Sequence, residues 1–251
     1  MRCKIITLNI WLGGMLFDAV VDFIRQENPD ILALQEVYDG KSNKLEVRLR
    51  CFSILKQKLN FEHSSYTPAF TQVMPEGNIN QGNAVFSKFP IISTDTKFYD
   101  VPFDSHYEMP ADNYDHVPRN LQHVCMRAGE HDIHMYNTHG IWGRNGDDTP
   151  RRIAMCKTIA SQVKGKPRTI LVGDFNMDPD TRAIGQIEKH LVNVFDGELP
   201  SSFNMKRKDN PTLASVVSDM AFVSKDVRVV ERYCPEVDVS DHLPLVVVVE
   251  V

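Results

Sequence analysis

The sequence predicts an α/β fold, and three observations support that prediction. Short apolar runs rich in β-branched residues alternate with segments whose apolar residues recur at helical spacing. The 251 residues are 42% hydrophobic and 24% charged, a composition typical of globular proteins that excludes global disorder. Because no linker separates regions of different composition, we predict a single domain over residues 1–251.

The first part of the chain is predicted to alternate between strands and helices. The predicted strands are residues 3–9, 30–35, 82–87 and 91–99. Between the first two, an amphipathic helix begins near Leu16 and ends at Asn28-Pro29, since proline does not continue a helix. Residues 45–59 are predicted to form a second helix.

The second part of the chain continues the alternation and adds two long loops. Predicted strands are residues 122–126, 133–137, 169–173, 219–223, 227–230 and 245–249, and predicted helices are residues 149–163 and 181–190. The loops 101–118 and 140–150 mix aromatic with polar side chains. Loops of this length in compact domains are often functional, so ligand contact and an ordered surface loop are both open interpretations.

The charge balance bears on the partners of the protein. Asp and Glu (33) outnumber Lys and Arg (28), which gives a formal net charge of −5. Proteins that bind DNA tightly and non-specifically usually carry a positive balance. Residues 149–168, however, contain six basic and no acidic side chains. This segment is either a solvated helix face or a surface that attracts phosphate.

Cysteine usage and hydropathy bear on location. The five cysteines are scattered and never form CxxC, which argues against a disulfide framework and a zinc–thiolate site. No apolar run reaches the roughly 18 residues of a membrane helix, and the first residues do not resemble a secretory signal. We therefore expect a cytoplasmic protein with no integral membrane segment, and the sequence gives no sign of an obligate protein partner.

Polar side chains fall repeatedly at the ends of predicted strands. They are Asn9, Glu36, His139, Asp174, Asn176, Asp219, Asp241 and His242. Each residue alone has an ordinary explanation, such as a turn, a cap or a structural histidine. Because ligands of α/β sheets gather at strand ends, the set together predicts one shared site.

Three members of this set favour a metal site. Glu36, Asp241 and Asn9 supply hard oxygen ligands, which suit Mg²⁺ or Mn²⁺ better than zinc. Mg²⁺ typically takes one or two protein carboxylates and completes its shell with water and substrate phosphate. The two carboxylates and one amide predicted here match that coordination.

The remaining members suit the chemistry of phosphate ester hydrolysis. Asp174 can orient and deprotonate a water molecule, and His242 with Asp219 as its charge partner can hold a phosphate oxygen or act as an acid. Asn176 and His139 can donate hydrogen bonds to oxygens where charge builds up. Because no serine or cysteine lies in a nucleophile motif such as GxSxG, we expect direct attack by water.

Five segments carry a resemblance to a known family. They are TLNIW at 7–11, LQEV at 34–37, NTH at 137–139, GDFN at 173–176 and SDHLP at 240–244. In this order they resemble the endonuclease/exonuclease/phosphatase superfamily, which has the deoxyribonuclease-I-like fold. The resemblance implies a four-layer α/β sandwich, with two mixed β-sheets face to face and helices outside each. It also implies Mg²⁺-dependent hydrolysis of a phosphate ester.

The resemblance also implies ligands for the metal and contacts with the substrate. Glu36 would be the principal metal ligand, with Asn9 and Asp241 near the metal. Asn83 and Arg119 lie in segments that resemble substrate-facing ones. A surface ion pair is an equally simple interpretation of Arg119.

The same resemblance implies roles in the reaction. Asp174 would activate the attacking water, and Asn176 and His139 would contact the scissile phosphate. His242, oriented by Asp219, would stabilise the transition state.

The sequence leaves three functions open and favours the first of them, a nuclease. The first is a metal-dependent phosphodiesterase acting on nucleic acid, favoured by the catalytic set and by the basic segment 149–168. The second is a small-molecule phosphoesterase, acting on a lipid headgroup or a nucleotide, favoured by the acidic net charge and by the two long loops. The third is a binding module that has kept the fold without catalysis; the presence of all the proposed catalytic residues argues against it.

Overall fold

Two mixed β-sheets form the centre of the protein, whose computed structural model describes residues 1–109, 114 and 116–251. The strands are β1 (Arg2–Asn9), β2 (Ile31–Tyr38), β3 (His63–Met74), β4 (Gly77–Ser87), β5 (Ile91–Phe98), β6 (Asp104–Tyr107), β7 (Asn120–Ala128), β8 (His131–His139), β9 (Thr169–Asp174), β10 (Val192–Asn193), β11 (Asp219–Val223), β12 (Arg228–Tyr233) and β13 (Leu245–Glu250). The helices are α1 (Trp11–Gly14), α2 (Phe17–Glu27), α3 (Cys51–Lys58), α4 (Pro150–Val163) and α5 (Ile184–Glu188).

Within the described residues, one sheet has seven strands and the other has six. The first has the order β12-β13-β1-β2-β4-β3-β6, and the second has the order β10-β11-β9-β8-β7-β5. The pairs β1/β2, β3/β6 and β8/β9 are parallel and the other neighbouring pairs are antiparallel. Both sheets are therefore mixed, as the resemblance implies.

The sheets pack face to face, with helices on their outer faces. Along β1, Cys3 and Ile5 point into the core between the sheets, while Ile6 and Leu8 point towards the helices. This alternation follows from the two-residue period of a strand. Helices α2 and α3 cover the first sheet, and α4 and α5 cover the second. The predicted four-layer sandwich is confirmed.

Some elements differ from the predictions. Strand β3 was not predicted, because its sequence HSSYTPAFTQVM is polar and contains Pro68, which interrupts a ladder. A register shift between Pro68 and Phe70 accommodates this proline.

The helix predicted at residues 45–59 is a 3₁₀ turn over Val47–Arg50 followed by α3, since Arg50 leaves helical geometry (φ −130°, ψ 27°). Only α5 remains of the helix predicted at residues 181–190.

The loop predicted at residues 101–118 contains the short strand β6, which extends the first sheet beside β3. Two of its aspartates, Asp112 and Asp115, lie outside the described residues. All five cysteines are free thiols, as their spacing predicts. In the described residues, no helix combines the length and apolarity needed to cross a bilayer.

A histidine pair lies on the outer face of the second sheet. His123 Nε2 and His134 Nδ1 are 3.1 Å apart, and the His123 ring stacks on Tyr136 at 4.3 Å between centroids. Burial lowers the pKa of His123 to about 4, and the positive charge of Lys166 acts in the same direction. The native state therefore holds this ring neutral at neutral pH.

This depressed pKa makes stability depend on pH. The unfolded chain binds a proton near pH 6.5 and the folded chain only near pH 4. The contribution of His123 to the free energy of unfolding is therefore fully present above about pH 6.5. It is lost as the pH drops towards 4, and it amounts to about 1–2 kcal/mol for this half-buried ring. Thermal melts at pH 7.5 and 5.0 should show a smaller loss for His123→Gln than for the wild type. The exposed His131 provides the control, His131→Gln, which should behave like the wild type. An equal loss of melting temperature in all three proteins would contradict the lowered pKa of His123 as the cause.

Candidate active site

The predicted site residues meet at one edge of the two sheets. Asn9 ends β1, while His139 and Asp174 end the neighbouring parallel strands β8 and β9 as a register pair. Asp219 begins the antiparallel strand β11 and is the register partner of Asp174 on its other side. Residues far apart in the chain therefore share one edge because of strand order and direction.

An irregularity in β2 places Glu36 at this edge. The pairing of β2 with β4 shifts register between Leu34 and Val37, and Glu36 has the left-handed φ of 59°. A bulge of this kind turns a side chain away from the regular alternation of a strand. Glu36 Oε1 accepts from Asn9 Nδ2 at 3.1 Å, and Oε2 accepts from the backbone N–H of Leu12 at 2.7 Å.

A glycine before Asp174 allows the strands around it to approach closely. Gly173 has a φ of +142°, and a Cβ there would lie 2.0 Å from the carbonyl oxygen of Thr138 on β8. Just beyond, Asn176 adopts a left-handed φ of 55°, which asparagine tolerates. Its backbone N–H donates to Asp174 Oδ1 at 2.9 Å. The GDFN sequence thus fixes the carboxylate through its own backbone.

Asp174 is buried among polar partners. Its Oδ2 accepts from Asn9 Nδ2 at 3.1 Å, and the same oxygen lies 3.5 Å from His139 Nε2 and 3.9 Å from His242 Nε2. Burial raises the pKa of Asp174; Asp219 acts in the same direction and the His242 cation opposes it. A carboxylate with a raised pKa is a stronger base than one in water.

His242 is held as a cation. Its Nδ1–H donates to Asp219 Oδ2 at 2.7 Å. Burial alone would lower the pKa of His242, but Asp219 and Asp174 together raise it to about 10. Its other nitrogen, Nε2, faces Asp174 and carries a proton that can be donated to an anion.

His139 is neutral, and Arg119 determines its tautomer. The guanidinium Nη1 of Arg119 lies 2.7 Å from His139 Nδ1, and arginine can only donate, so Nδ1 accepts. The proton of His139 is therefore on Nε2, on the side of Asp174. Burial lowers the pKa of His139 well below its ordinary value, and the charges of Arg119 and His242 act in the same direction.

The family follows from comparison with known proteins. The chain matches the model of the endonuclease/exonuclease/phosphatase family over residues 6–242. This chain belongs to that family. Curated protein sequences gave no match.

Several solved structures have the same fold at low sequence identity. An endonuclease/exonuclease/phosphatase from Beutenbergia cavernae aligns with a TM-score of 0.75 and 19% identity, covering 99% of this chain and 71% of that one. A mannosyl-6-phosphatase from Bacteroides thetaiotaomicron aligns at 0.69 and 16%, covering 99% and 100%. TDP2 from D. rerio with a single-strand DNA product aligns at 0.71 and 13%, covering 100% and 99%.

Enzymes of this family generally use divalent metals, and the donor set of this chain fits one. Glu36 and Asn9 are in contact, and Asp241 follows Ser240, whose Oγ donates to the Asn9 carbonyl at 2.7 Å. Carboxylate and amide oxygens are hard ligands suited to Mg²⁺ or Mn²⁺. The carboxylate of Asp241 is instead paired with Lys208, whose Nζ lies 2.5 Å from Oδ2.

A second cluster also has metal-ligand geometry. One ligand atom each from Asp174, Asp219 and His242 lie within 4.8 Å of one another. A protonated imidazole has no lone pair for a metal, however, and the pKa of His242 is raised to about 10. This cluster is therefore better suited to proton transfer, and Glu36 with Asn9 and Asp241 remains the better candidate for the metal.

The two predicted substrate-binding residues lie together. Asn83 is buried on β4, and its Nδ2 donates to Asn120 Oδ1 at 3.1 Å. Asn83 and Arg119 line a narrow cleft with Glu36 and His139. Arg119 is therefore directed into the site rather than into a surface ion pair.

A buried polar layer beneath the site was not predicted. Gln35 Nε2 donates to Asn137 Oδ1 at 2.7 Å and to Thr7 Oγ1 at 3.1 Å. Asn137 Nδ2 in turn lies within 3.2 Å of Gln122 Oε1 and of two backbone carbonyls. These contacts tie the two sheets together directly below Glu36 and His139. The sequence signal was the presence of amides in runs that are otherwise apolar.

The basic segment 149–168 is largely occupied by structural contacts. Arg152 is buried and donates from Nε to the Ile141 carbonyl at 3.1 Å, and from Nη1 to the Asn145 and Asp147 carbonyls at 2.6 and 2.8 Å. Its Nη2 donates to the Asn176 carbonyl. Arg151 pairs with Asp100, and Lys166 donates to the Tyr136 hydroxyl. These contacts weaken the hypothesis of a phosphate-attracting surface.

Proposed function

We propose that this protein hydrolyses a phosphate ester by direct attack of water, assisted by a divalent metal ion. The observation that carries the proposal is the arrangement around Asp174. A buried carboxylate of raised pKa has the Nε2–H donors of His242 and His139 within 3.9 Å of it. A base beside fixed donors suits a reaction in which water loses a proton while phosphate oxygens gain charge.

In the proposed mechanism each side chain either accepts a proton, donates a hydrogen bond or positions another group. Asp174 accepts the proton of the attacking water, held in place by Asn9 and the Asn176 backbone. The cation of His242 donates through Nε2 to a phosphate oxygen, while Asp219 fixes its ring. His139 donates from Nε2, because Arg119 occupies its Nδ1. The Asn176 side chain, next to Asp174, is proposed to contact the phosphate as well.

Glu36, Asn9 and Asp241 are proposed to hold Mg²⁺ or Mn²⁺. Bound there, the ion would neutralise charge on the phosphate as the reaction proceeds. Asn83 and Arg119, in the cleft beside Glu36, are proposed to contact the substrate.

Replacing Glu36 by glutamine tests the metal site. The variant keeps the shape of the side chain but loses a charged ligand, so half-saturation by Mg²⁺ should rise by about tenfold or more. The measurement is the rate of bis(p-nitrophenyl) phosphate hydrolysis as Mg²⁺ is varied. Glu46→Gln, an exposed carboxylate paired with Arg48, is the matched control and should leave the curve in place. A curve that does not move for Glu36→Gln would remove this residue from the metal site.

A nuclease is a second candidate, since one structural relative, TDP2 from D. rerio, was solved with a single-strand DNA product. Plasmid nicking in Mg²⁺ at low salt, with wild type beside His242→Ala, distinguishes the two. Nicking by the wild type alone supports a nuclease that uses this site. Turnover of small esters without nicking supports a small-molecule phosphoesterase, which the engagement of Arg151 and Arg152 in structural contacts favours. A cytoplasmic location is proposed with either function.

A further inference from the structure

A cavity of about 440 Å³ opens beside the candidate site. Its walls come from the loop 140–150, from Asn176 to Asp178, and from the segment 203–218. Asn176 and Ser218 connect it to the site, because they lie next to the GDFN carboxylate Asp174 and to Asp219 respectively. We name this cavity the loop pocket. Its volume is in the range of small-molecule binding sites.

The walls of the loop pocket are fixed before any ligand arrives. Arg152 binds the carbonyls of Asn145 and Asp147 within the loop 140–150, and it also binds the Asn176 carbonyl across from it. On the other side, the ring of Phe203 packs on His242 at 4.6 Å between centroids. A preformed pocket binds its ligand without the entropic cost of ordering the loop.

The polar groups of the loop pocket match a ligand rich in hydroxyl groups. Asn210 accepts from Thr212 through Oδ1, so its amide nitrogen is the atom it offers to a ligand. Asn145 donates to Asp147 through Nδ2, so it offers Oδ1. The Asp178 carboxylate accepts hydrogen bonds only, and burial raises its pKa. The cavity therefore offers a ligand both a donor, from Asn210, and acceptors, from Asn145 and Asp178.

Two aromatic side chains complete the loop pocket. Trp142 lines the cavity and has Tyr114 in edge contact at 5.7 Å, and Phe203 lies on the side of His242. Aromatic faces contact the C–H face of a ring while the amides and the carboxylate reach its hydroxyls. A nucleotide shares the sugar phosphate but adds a base with only one or two donor groups, whereas a free hexose offers Asp178 a donor at each remaining hydroxyl.

We propose that the loop pocket binds the sugar or polyol part of a phosphate ester, so that its phosphate lies at Asp174. This inference rests on the proposed function and names its substrate class. The substrate is then a sugar or polyol phosphate that carries no nucleobase, rather than a nucleotide or a polymeric nucleic acid.

Trp142 provides a direct test of binding. The chain has two tryptophans, so Trp11→Phe leaves Trp142 as the only one, and Asp174→Asn slows turnover enough for a titration. In Mg²⁺, this double variant is titrated with glucose 6-phosphate, adenosine 5′-monophosphate and inorganic phosphate. We expect a saturable change in Trp142 fluorescence with the sugar phosphate, at least tenfold tighter than with the nucleotide and absent with inorganic phosphate. Equal or tighter binding of the nucleotide overturns the proposal, as does no response to the sugar phosphate.

A substitution in the pocket separates this proposal from the proposed function. Asp178→Asn keeps the shape but loses the charged acceptor, so KM for the sugar phosphate should rise about tenfold while kcat stays close to wild type. Asp180→Asn, an exposed carboxylate two residues away, is the control. If the protein hydrolyses bis(p-nitrophenyl) phosphate but Asp178→Asn does not change KM for the sugar phosphate, only the proposal about the loop pocket is rejected. Failure to hydrolyse any phosphate ester rejects the proposed function.

Discussion

Replacing Asp174 by asparagine is expected to lower kcat by about 10²–10⁴, because general base catalysis contributes an effect of that size. The asparagine side chain fills the same space beside Asn9 and Asn176 but cannot accept a proton from water. The KM should change little, since Asp174 is proposed to act on the water rather than on the substrate. Steady-state hydrolysis of bis(p-nitrophenyl) phosphate in saturating Mg²⁺ measures both constants.

The control for this experiment removes a carboxylate outside the site. Asp132 pairs with Arg127 at the turn between β7 and β8, so Asp132→Asn should retain full activity. If Asp174→Asn keeps a kcat within about tenfold of wild type, another group activates the water. His242 is a cation in this arrangement, so Asp219 would then be the next carboxylate to test.

Replacing Arg152 by methionine is expected to destabilise the protein by about 3–5 kcal/mol. The variant fills most of the volume but leaves the carbonyls of Ile141, Asn145, Asp147 and Asn176 without this donor. The Ile141 carbonyl is buried and the other three are partly buried, so the loss of their donor is costly; all four belong to segments that border the candidate site.

Urea unfolding measures this effect. The midpoint should fall while the slope of the transition is unchanged, because the surface exposed on unfolding stays similar. Lys157→Met removes an exposed cation from the same helix and should change stability by less than about 0.5 kcal/mol. A similar midpoint for wild type and Arg152→Met would mean that the loop 140–150 is held by other contacts.

Residues near strand ends were the part of the site that the sequence predicted best. Asn9, His139 and Asp174 meet because parallel strands bring their carboxyl ends to one edge, and apolar runs mark where such strands end. The layers were predictable from the resemblance and from the alternation of strand and helix patterns. The single domain over residues 1–251 stays a prediction, as do the roles of the site residues.

Other parts had no local signal in the sequence. Lys208 contacts Asp241 across 33 positions of chain, and neither residue type nor spacing marks such a pair. Arg152 was counted among surface cations because helix periodicity does not reveal a buried side chain bound to loop carbonyls. The left-handed backbone of Glu36 depends on the register of two strands, which residue composition does not specify. Strand β3 was hidden by its polar residues, most of which are half-buried.

The ion pair of Lys208 with Asp241 already neutralises one of the three residues proposed to hold a metal. The ammonium group lies 2.5 Å from the carboxylate and 5.2 Å from the ring centre of Phe203, which itself packs on His242. A divalent cation that binds Asp241 must therefore compete with a charge that is already bound, and it exchanges one cation for another instead of filling a bare anionic site. At the proposed metal site, binding of an ion to Asp241 would therefore be coupled to the segment that carries Lys208, which also forms one side of the loop pocket.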